Sequence, residues 1–339
     1  MIKKTLKWVI AVGFAANVGN VFATAPTATT LMNVSYDVTR ELYKDYNVVF
    51  TKHWKEKTGE AVTINMSHGG SSKQAGAVVN GLPADVISMN QANDIDILAE
   101  RGKLIPANWA TRLPNNSAPY TSTMVFIVRK GNPQKIKDWN DLVKPGVKVI
   151  IPNPKTAGNG RYTYLAAWGN VVKHGGNEGQ AREFVSKLFK NVPILDAGGR
   201  AATSTFVQRN IGDVLVTFEN EALQIQKEFG AKTGGGFEVV YPNSSILTES
   251  PVTVVDKVVE KHNSLKLATA YLEYLYSPEG QEVVAKHYYR PRSAEVLKKY
   301  AKQFPQIKLF TVSEVFGSWK NAQKVHFNDG GIFDQIFKK

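Results

Sequence analysis

The chain has 339 residues, 43% of them hydrophobic, and a formal charge of +13. That length and apolar content describe a globular protein with enough core for two lobes. It has no cysteine, which excludes thiol catalysis, thiolate metal sites and lipid attachment through a cysteine. A basic balance favours encounter with anions. Nucleic acid is a poor partner, because the lysines are scattered and no basic block is interleaved with aromatics.

The first 23 residues read as a signal peptide. Lys3, Lys4 and Lys7 precede the short apolar stretch from Trp8 to Ala16, and Val21-Phe22-Ala23 supplies a small-residue cleavage site. The apolar stretch is too short to cross a bilayer, so the mature chain is expected in the periplasm. Losing the three lysines lowers the formal charge from +13 to +10.

Strand and helix signals then alternate. Leu31–Val34 reads as a strand, and Val62, Ile64 and Met66 alternate with polar residues as in a strand with one covered face. Ala75, Val78, Val79 and Leu82 have helical spacing, and Asn80-Gly81 ends that helix. A strand at Asp85–Met89 and a helix near Asp94–Arg101 follow. Met124–Val128 is an apolar run of the kind found in a central strand. Val147–Ile151, Val192–Leu195, Val214–Phe218 and Phe237–Tyr241 repeat that signal, with helical stretches between most of them. The alternation predicts an α/β architecture with largely parallel sheets. Gly234-Gly235-Gly236 reads as a loop tip.

Four loops share one device. Ser35–Arg40, Ser67–Ala75, Lys155–Arg161 and Asp196–Ala201 each follow a strand signal and open a helix, and each is rich in small residues; Asp37 stands where an N-cap belongs in the first. Any one of them is an ordinary helix start. Together they bring unpaired N–H groups and positive helix ends to the carboxyl edges of the strands, where open α/β sheets bind ligands. None has the G-x-x-x-x-G-K-[ST] or G-x-G-x-x-G spacing of nucleotide loops. The pattern points to a small anion held by backbone N–H groups.

Several blocks carry a family resemblance: NVSYDVTRELY (33–43), SHGGSSKQA (67–75), RLPNNSAPYTSTM (112–124), VRKGNPQKIKDWNDLVKPGV (128–147), NPKTAGNGRYTYLAAWG (153–169), YLYSPEGQE (274–282) and YYRPR (288–292). They resemble the periplasmic sulfate-binding and thiosulfate-binding proteins of bacterial ABC importers, over nearly the whole mature chain. The resemblance implies a two-lobed α/β periplasmic binding protein (type II), each lobe a mainly parallel sheet flanked by helices, joined by two hinge crossovers. The lobes are expected at 26–129 plus 236–339 and at 130–235. It also implies a monomer that hands sulfate or thiosulfate to a membrane ABC permease for sulfur uptake, without a cofactor.

Position by position, the resemblance implies that the Asp37 N–H faces the anion while its carboxylate caps a helix. It implies a hydroxyl from Ser71 and N–H groups from Gly158, Asn159 and Gly199. Two positions depart from the sulfate-type pattern. Ala157 stands for a serine, and Phe218 for a tryptophan whose indole donates. Both resemble the thiosulfate branch instead.

Other features have plainer readings. His68 is expected to hydrogen-bond locally, and the six histidines show no metal-binding spacing. Arg161 and Arg200 are expected to stiffen the anion loops. Trp139, Trp168 and Trp319 are expected in the core. The alternatives are an enzyme on the same scaffold or a binder of phosphate or molybdate. No G-x-S-x-G or clustered carboxylate pair supports catalysis, and no catalytic residue is assigned.

Overall fold

A computed structural model describes residues 29–229 and 236–337. The expected signal peptide, residues 1–23, lies outside the described residues, as do Gly234 and Gly235. In chain order the strands are β1 (Thr30–Tyr36), β2 (Thr63–Gly69), β3 (Val86–Ser88), β4 (Tyr120–Arg129), β5 (Val149–Pro152), β6 (Leu195–Asp196), β7 (Val214–Phe218), β8 (Phe237–Val240), β9 (Ser244–Glu249), β10 (Val252–Val254), β11 (Arg290–Pro291) and β12 (Lys308–Phe310). The helices that matter for the site are α1 (Arg40–Thr58), α2 (Ser71–Val79), α3 (Ala92–Glu100), α4 (Gly158–Lys173), α5 (Glu178–Lys190), α6 (Gly199–Val207) and α7 (Glu219–Phe229).

Two sheets form. The first has the order β2-β1-β3-β10. The second follows β6-β5-β7-β4-β9-β12, with β8 and β11 also paired to β4. In the first, β1 is parallel to β2 and β3, and β10 is antiparallel to β3. In the second, β5 is parallel to β6 and β7, and β4 is antiparallel to β7. Each sheet thus repeats one plan. Its first strand lies between its second and third, and an antiparallel strand from elsewhere in the chain pairs with the third. The strand order reverses at β1 and at β5, and a cleft opens beside each reversal.

The apolar run of β4 becomes the centre of the second sheet, with every residue but Arg129 buried. Phe126 meets Trp139 edge to face at 4.9 Å. The Trp139 and Trp168 indoles, though buried, are satisfied, donating to the Ser244 carbonyl at 2.9 Å and to Glu178 Oε2 at 3.0 Å. Trp319 is only partly buried and packs edge to face on Tyr162 at 4.9 Å.

The C-terminal segment departs from the expected lobe division. Residues 308–337 do not join the first lobe. β12 pairs with β9 in the second sheet, and Phe310, Val312, Phe316, Phe327 and Phe333 join the core around Tyr164, Trp168 and Phe189. Five large apolar side chains have a ready slot there. Gly169 makes room for Phe310, since a Cβ at 169 would lie 2.3 Å from its ring. β4, β8 and β9, expected in the first lobe by the boundaries at 129/130 and 235/236, also lie in the second sheet. The chain therefore crosses between the cores three times, into β4, between β9 and β10, and into β12.

The YYRPR block fastens these crossings. The Tyr289 ring packs on Tyr120 at 4.8 Å, and Arg292 donates to the Ala118 carbonyl and to Glu249 Oε1. Arg290 makes a two-pronged pair with Glu219, at 2.6 and 2.8 Å, and Glu219 is fully buried. Removing one partner of such a pair strands a buried charge. Arg290→Ala is expected to cost about 3–5 kcal/mol of folding stability, measured by urea denaturation; a loss below about 1 kcal/mol would mean that Glu219 is readily hydrated.

Candidate functional site

The repeated sheet plan brings six loops to one place. A cavity of about 20 Å³ is lined by Tyr36, Asp37 and Val38 after β1, Gly70 and Ser71 after β2, and Asn90 after β3. Facing them are Ala157, Gly158 and Asn159 after β5, Gly198 and Gly199 after β6, and Phe218 at the end of β7. Each lobe contributes the loops that follow its first, second and third strands. All seven residues singled out in the sequence line this cavity: Asp37, Ser71, Ala157, Gly158, Asn159, Gly199 and Phe218.

Four helices start at the cavity wall. The 3-10 turn Asp37–Thr39 leads α1, and α2, α4 and α6 begin at Ser71, Gly158 and Gly199. Helical bonding in the last three starts with the N–H groups of Gln74, Arg161 and Ala202. The preceding three N–H groups of each helix have no intrahelical acceptor, nor do those of Asp37 and Val38. Their N-cap positions are Tyr36, Gly70, Ala157 and Gly198, and none caps its helix with a side chain. Asp138, Asn177, Ser277, Ser293, Thr311 and Ser318 cap helix starts elsewhere with their side chains, while the starts after Gln91, Val255, Ser264 and Gly331 also lack such a cap. What sets the cavity apart is that four uncapped starts meet there. The cavity therefore gathers four helix starts whose first N–H groups have no intrahelical acceptor and no side-chain cap.

Two local readings change. The Asp37 carboxylate makes no cap, because Asp37 is the first residue of the turn rather than the residue before it. Thr39 turns its hydroxyl back to the Tyr36 carbonyl at 2.7 Å instead. Gly70 has φ −56° and ψ 135°, which any residue adopts. The tight glycines are in the third loop, where a Cβ at Gly158 would lie 2.2 Å from Asn90 Oδ1 and one at Gly160 would lie 2.2 Å from the Pro152 carbonyl oxygen.

The polar side chains around the cavity are unevenly occupied. The Ser71 hydroxyl is buried, accepts from the Asn90 N–H at 3.3 Å and donates only to the Met89 sulfur, a weak acceptor. Asn159 Nδ2 donates to Thr217 Oγ1 at 2.9 Å and to Glu221 Oε2 at 3.4 Å. Phe218 presents its ring and packs edge to face on Tyr162 at 5.9 Å.

No lysine lines the cavity. Arg161, in the first turn of α4, donates to the Pro154 carbonyl at 3.0 Å and reaches across to Ser72 Oγ at 3.0 Å, with Asp94 at 3.6 Å. It stiffens two of the loops by bonding both. Arg200 is exposed and forms no ion pair among the described residues. His68 bonds Ser35 Oγ at 2.7 Å through Nδ1. Asn90 was not signalled by any glycine pattern. It could have been found as the polar residue directly after a buried strand, the counterpart of Phe218 at the end of β7.

With this geometry established, comparison with known proteins defines the class. Residues 38–290 match the family of bacterial extracellular solute-binding proteins, and the chain belongs to that family. A thiosulfate-binding protein of Pseudomonas aeruginosa is 64% identical over 313 residues, 92% of this chain and 93% of its own length. A sulfate-binding protein of Salmonella typhimurium is 59% identical over 310 residues, 91% of this chain and 93% of its own. The structure of the sulfate-binding protein SubI from Mycobacterium tuberculosis superposes with a TM-score of 0.77 at 29% identity, covering 87% of this chain and 98% of that one.

Burial, with the charges of Arg40 and Arg200, pushes His68 down to about 4, and burial alone pushes His326 down to about 4. Both rings stay neutral in the fold while the unfolded chain takes up protons below 6.5. Stability is therefore present above 6.5 and lost as pH falls towards 4. Burial raises Glu221, which acts in the opposite sense: its contribution is present below the unfolded carboxyl value and lost as pH rises through the folded one. Comparing wild type with His68→Asn isolates the histidine. The expected result is a shallower fall in melting temperature between pH 6.5 and 4 in the variant, and parallel curves would show that His68 protonates freely in the fold.

Proposed function

We propose that this protein is a monomeric periplasmic solute-binding protein that captures sulfate and thiosulfate and hands them to a membrane ABC permease. The observation that carries the reading is the convergence of four helix starts without side-chain caps, from both lobes, on one small cavity. Tetrahedral sulfur oxyanions of this size are what the names of its 64% and 59% identical relatives specify. The export signal in the sequence fits a periplasmic carrier. The cavity holds no arrangement of nucleophile and base, and the relatives are named as binding proteins.

The chemistry follows from the donors. Sulfate is fully ionised at neutral pH and only accepts hydrogen bonds. The N–H groups of Asp37, Gly158, Asn159 and Gly199 and the hydroxyl of Ser71 would each donate to it. A monohydrogen phosphate brings a proton that needs an acceptor, which the N–H groups and helix ends do not supply. Helix ends and neutral donors hold the charge without a paired cation, so the anion can leave again. Micromolar affinity, about −8 kcal/mol, is within reach of several such bonds.

Ala157 and Phe218 supply no side-chain donor, and Phe218 gives a soft wall that suits the outer sulfur of thiosulfate. The two anions are therefore expected to bind within about tenfold of each other, a difference of no more than about 1.4 kcal/mol. Calorimetry with sulfate, thiosulfate and phosphate tests the reading. Binding of phosphate alone, or of none of the three, would refute it, and a thousandfold preference between the sulfur anions would refute the selectivity. Ser71→Ala is expected to weaken both by about 1.5–3 kcal/mol, the usual loss for a hydrogen bond to a charged partner. Unchanged affinity in that variant would leave Ser71 as a loop tether only.

A further inference from the structure

Two asparagines that line the cavity, Asn90 and Asn159, keep a buried amide oxygen without a partner. Of the polar residues that line it, the Tyr36 hydroxyl is held by Ser250 Oγ at 3.0 Å, and the Asp37 carboxylate only accepts. Asn159 has the same orphaned oxygen but spends its amide hydrogens on Thr217 and Glu221, which leaves it none to donate to a ligand. Ser71 is already assigned a role. Asn90 remains. It is 5% exposed, its backbone N–H is tied to Ser71 Oγ at 3.3 Å, and its Oδ1 is buried with no partner. Its carboxamide lies against Gly158, since a Cβ there would be 2.2 Å from Oδ1 and 2.7 Å from Nδ2. Asn90 belongs to the first lobe and Gly158 to the second, so the group sits across the cleft.

A buried amide oxygen without a donor is costly. It is also reversible in sense, because a half-turn about the last side-chain bond exchanges oxygen for NH2. Beside a dianion the NH2 end is the favourable one. We propose that Asn90 is a ligand-contacting side chain that donates through Nδ2 to the bound anion, in place of the side-chain donors that Ala157 and Phe218 do not supply. Its placement between the two lobes makes it a donor that reaches the anion only when both walls of the cavity are present. The inference rests on the reading of this cavity as an anion site.

The test uses isosteric replacements. Asn90→Leu keeps the branching and heavy-atom count and removes both amide hydrogens; Asn90→Asp keeps the shape and turns the donor into a negative charge. Calorimetry with sulfate and thiosulfate at pH 8 is expected to show at least about a tenfold loss for the leucine variant, the weaker end of a charged hydrogen bond. The aspartate variant is expected to lose at least about a hundredfold, since a carboxylate beside a dianion repels it. Melting temperatures in anion-free buffer check that each variant folds, and Asn90→Ser serves as a third variant if leucine does not. A leucine or serine variant that binds both anions within twofold of wild type overturns the proposal and leaves Asn90 as packing on Gly158. Wild-type protein that binds neither anion overturns the anion site itself, and Asn90's role with it.

Discussion

Everything in this structure turns on bringing the starts of four helices, none with a side-chain cap, into one small space. A buried N–H without an acceptor is among the costlier things a fold can contain. Some helix starts avoid it with a side-chain cap, as Asp138 and Asn177 do here with reciprocal capping boxes. At the cavity the cap positions are Tyr36, Gly70, Ala157 and Gly198, and none supplies a side-chain acceptor to its helix. A cap would satisfy the donors and compete with an anion for them. At three of them, Gly70, Ala157 and Gly198, small residues keep the donors open and let the ligand's atoms come close.

That requirement explains the architecture. One lobe offers the ends of β1, β2 and β3; the other offers the ends of β5, β6 and β7. Both sheets use the same strand order, so each presents three loops beside its own point of reversal. Facing the two edges towards one another produces an enclosed set of donors that neither lobe holds alone. The hinge must keep them facing, and the Arg290–Glu219 and Arg292–Glu249 pairs fasten the crossing strands where the lobes join.

Charge is managed at one remove. The chain is strongly basic overall, which raises the rate of anion encounter, yet no lysine enters the cavity wall. Arg161 is engaged with backbone carbonyls, Ser72 and Asp94. Burial raises the buried Glu221 behind Asn159, against the hydrogen bonds from Thr217 and Thr203 that lower it. Aligned peptide dipoles carry the remaining attraction. They need no reorganisation when the ligand arrives and form no tight ion pair that would slow its release.

How much of this was legible in the chain differs from residue to residue. Strands such as Val214–Phe218 and Met124–Val128 declare themselves through local apolar runs, because burial on both faces demands it. The glycine and serine loops before α2, α4 and α6 are legible for the same local reason: a helix start that stays open needs small residues. Asn90 and the destination of residues 308–337 were not legible. A lone asparagine after a strand looks like any turn residue until the opposite lobe places Gly158 against it. Phe310, Phe316 and Phe333 have an apolar pattern that fits either core, and only the vacancy beside Gly169 and Trp168 selects the second. The sequence by itself determined the strands with strong apolar runs and the open helix starts, because these depend on neighbours along the chain, whereas β9–β12 carried no such local signal. Which open starts meet, and which core receives the C-terminal segment, the tertiary structure alone decided, because shape complementarity between distant surfaces has no local signature.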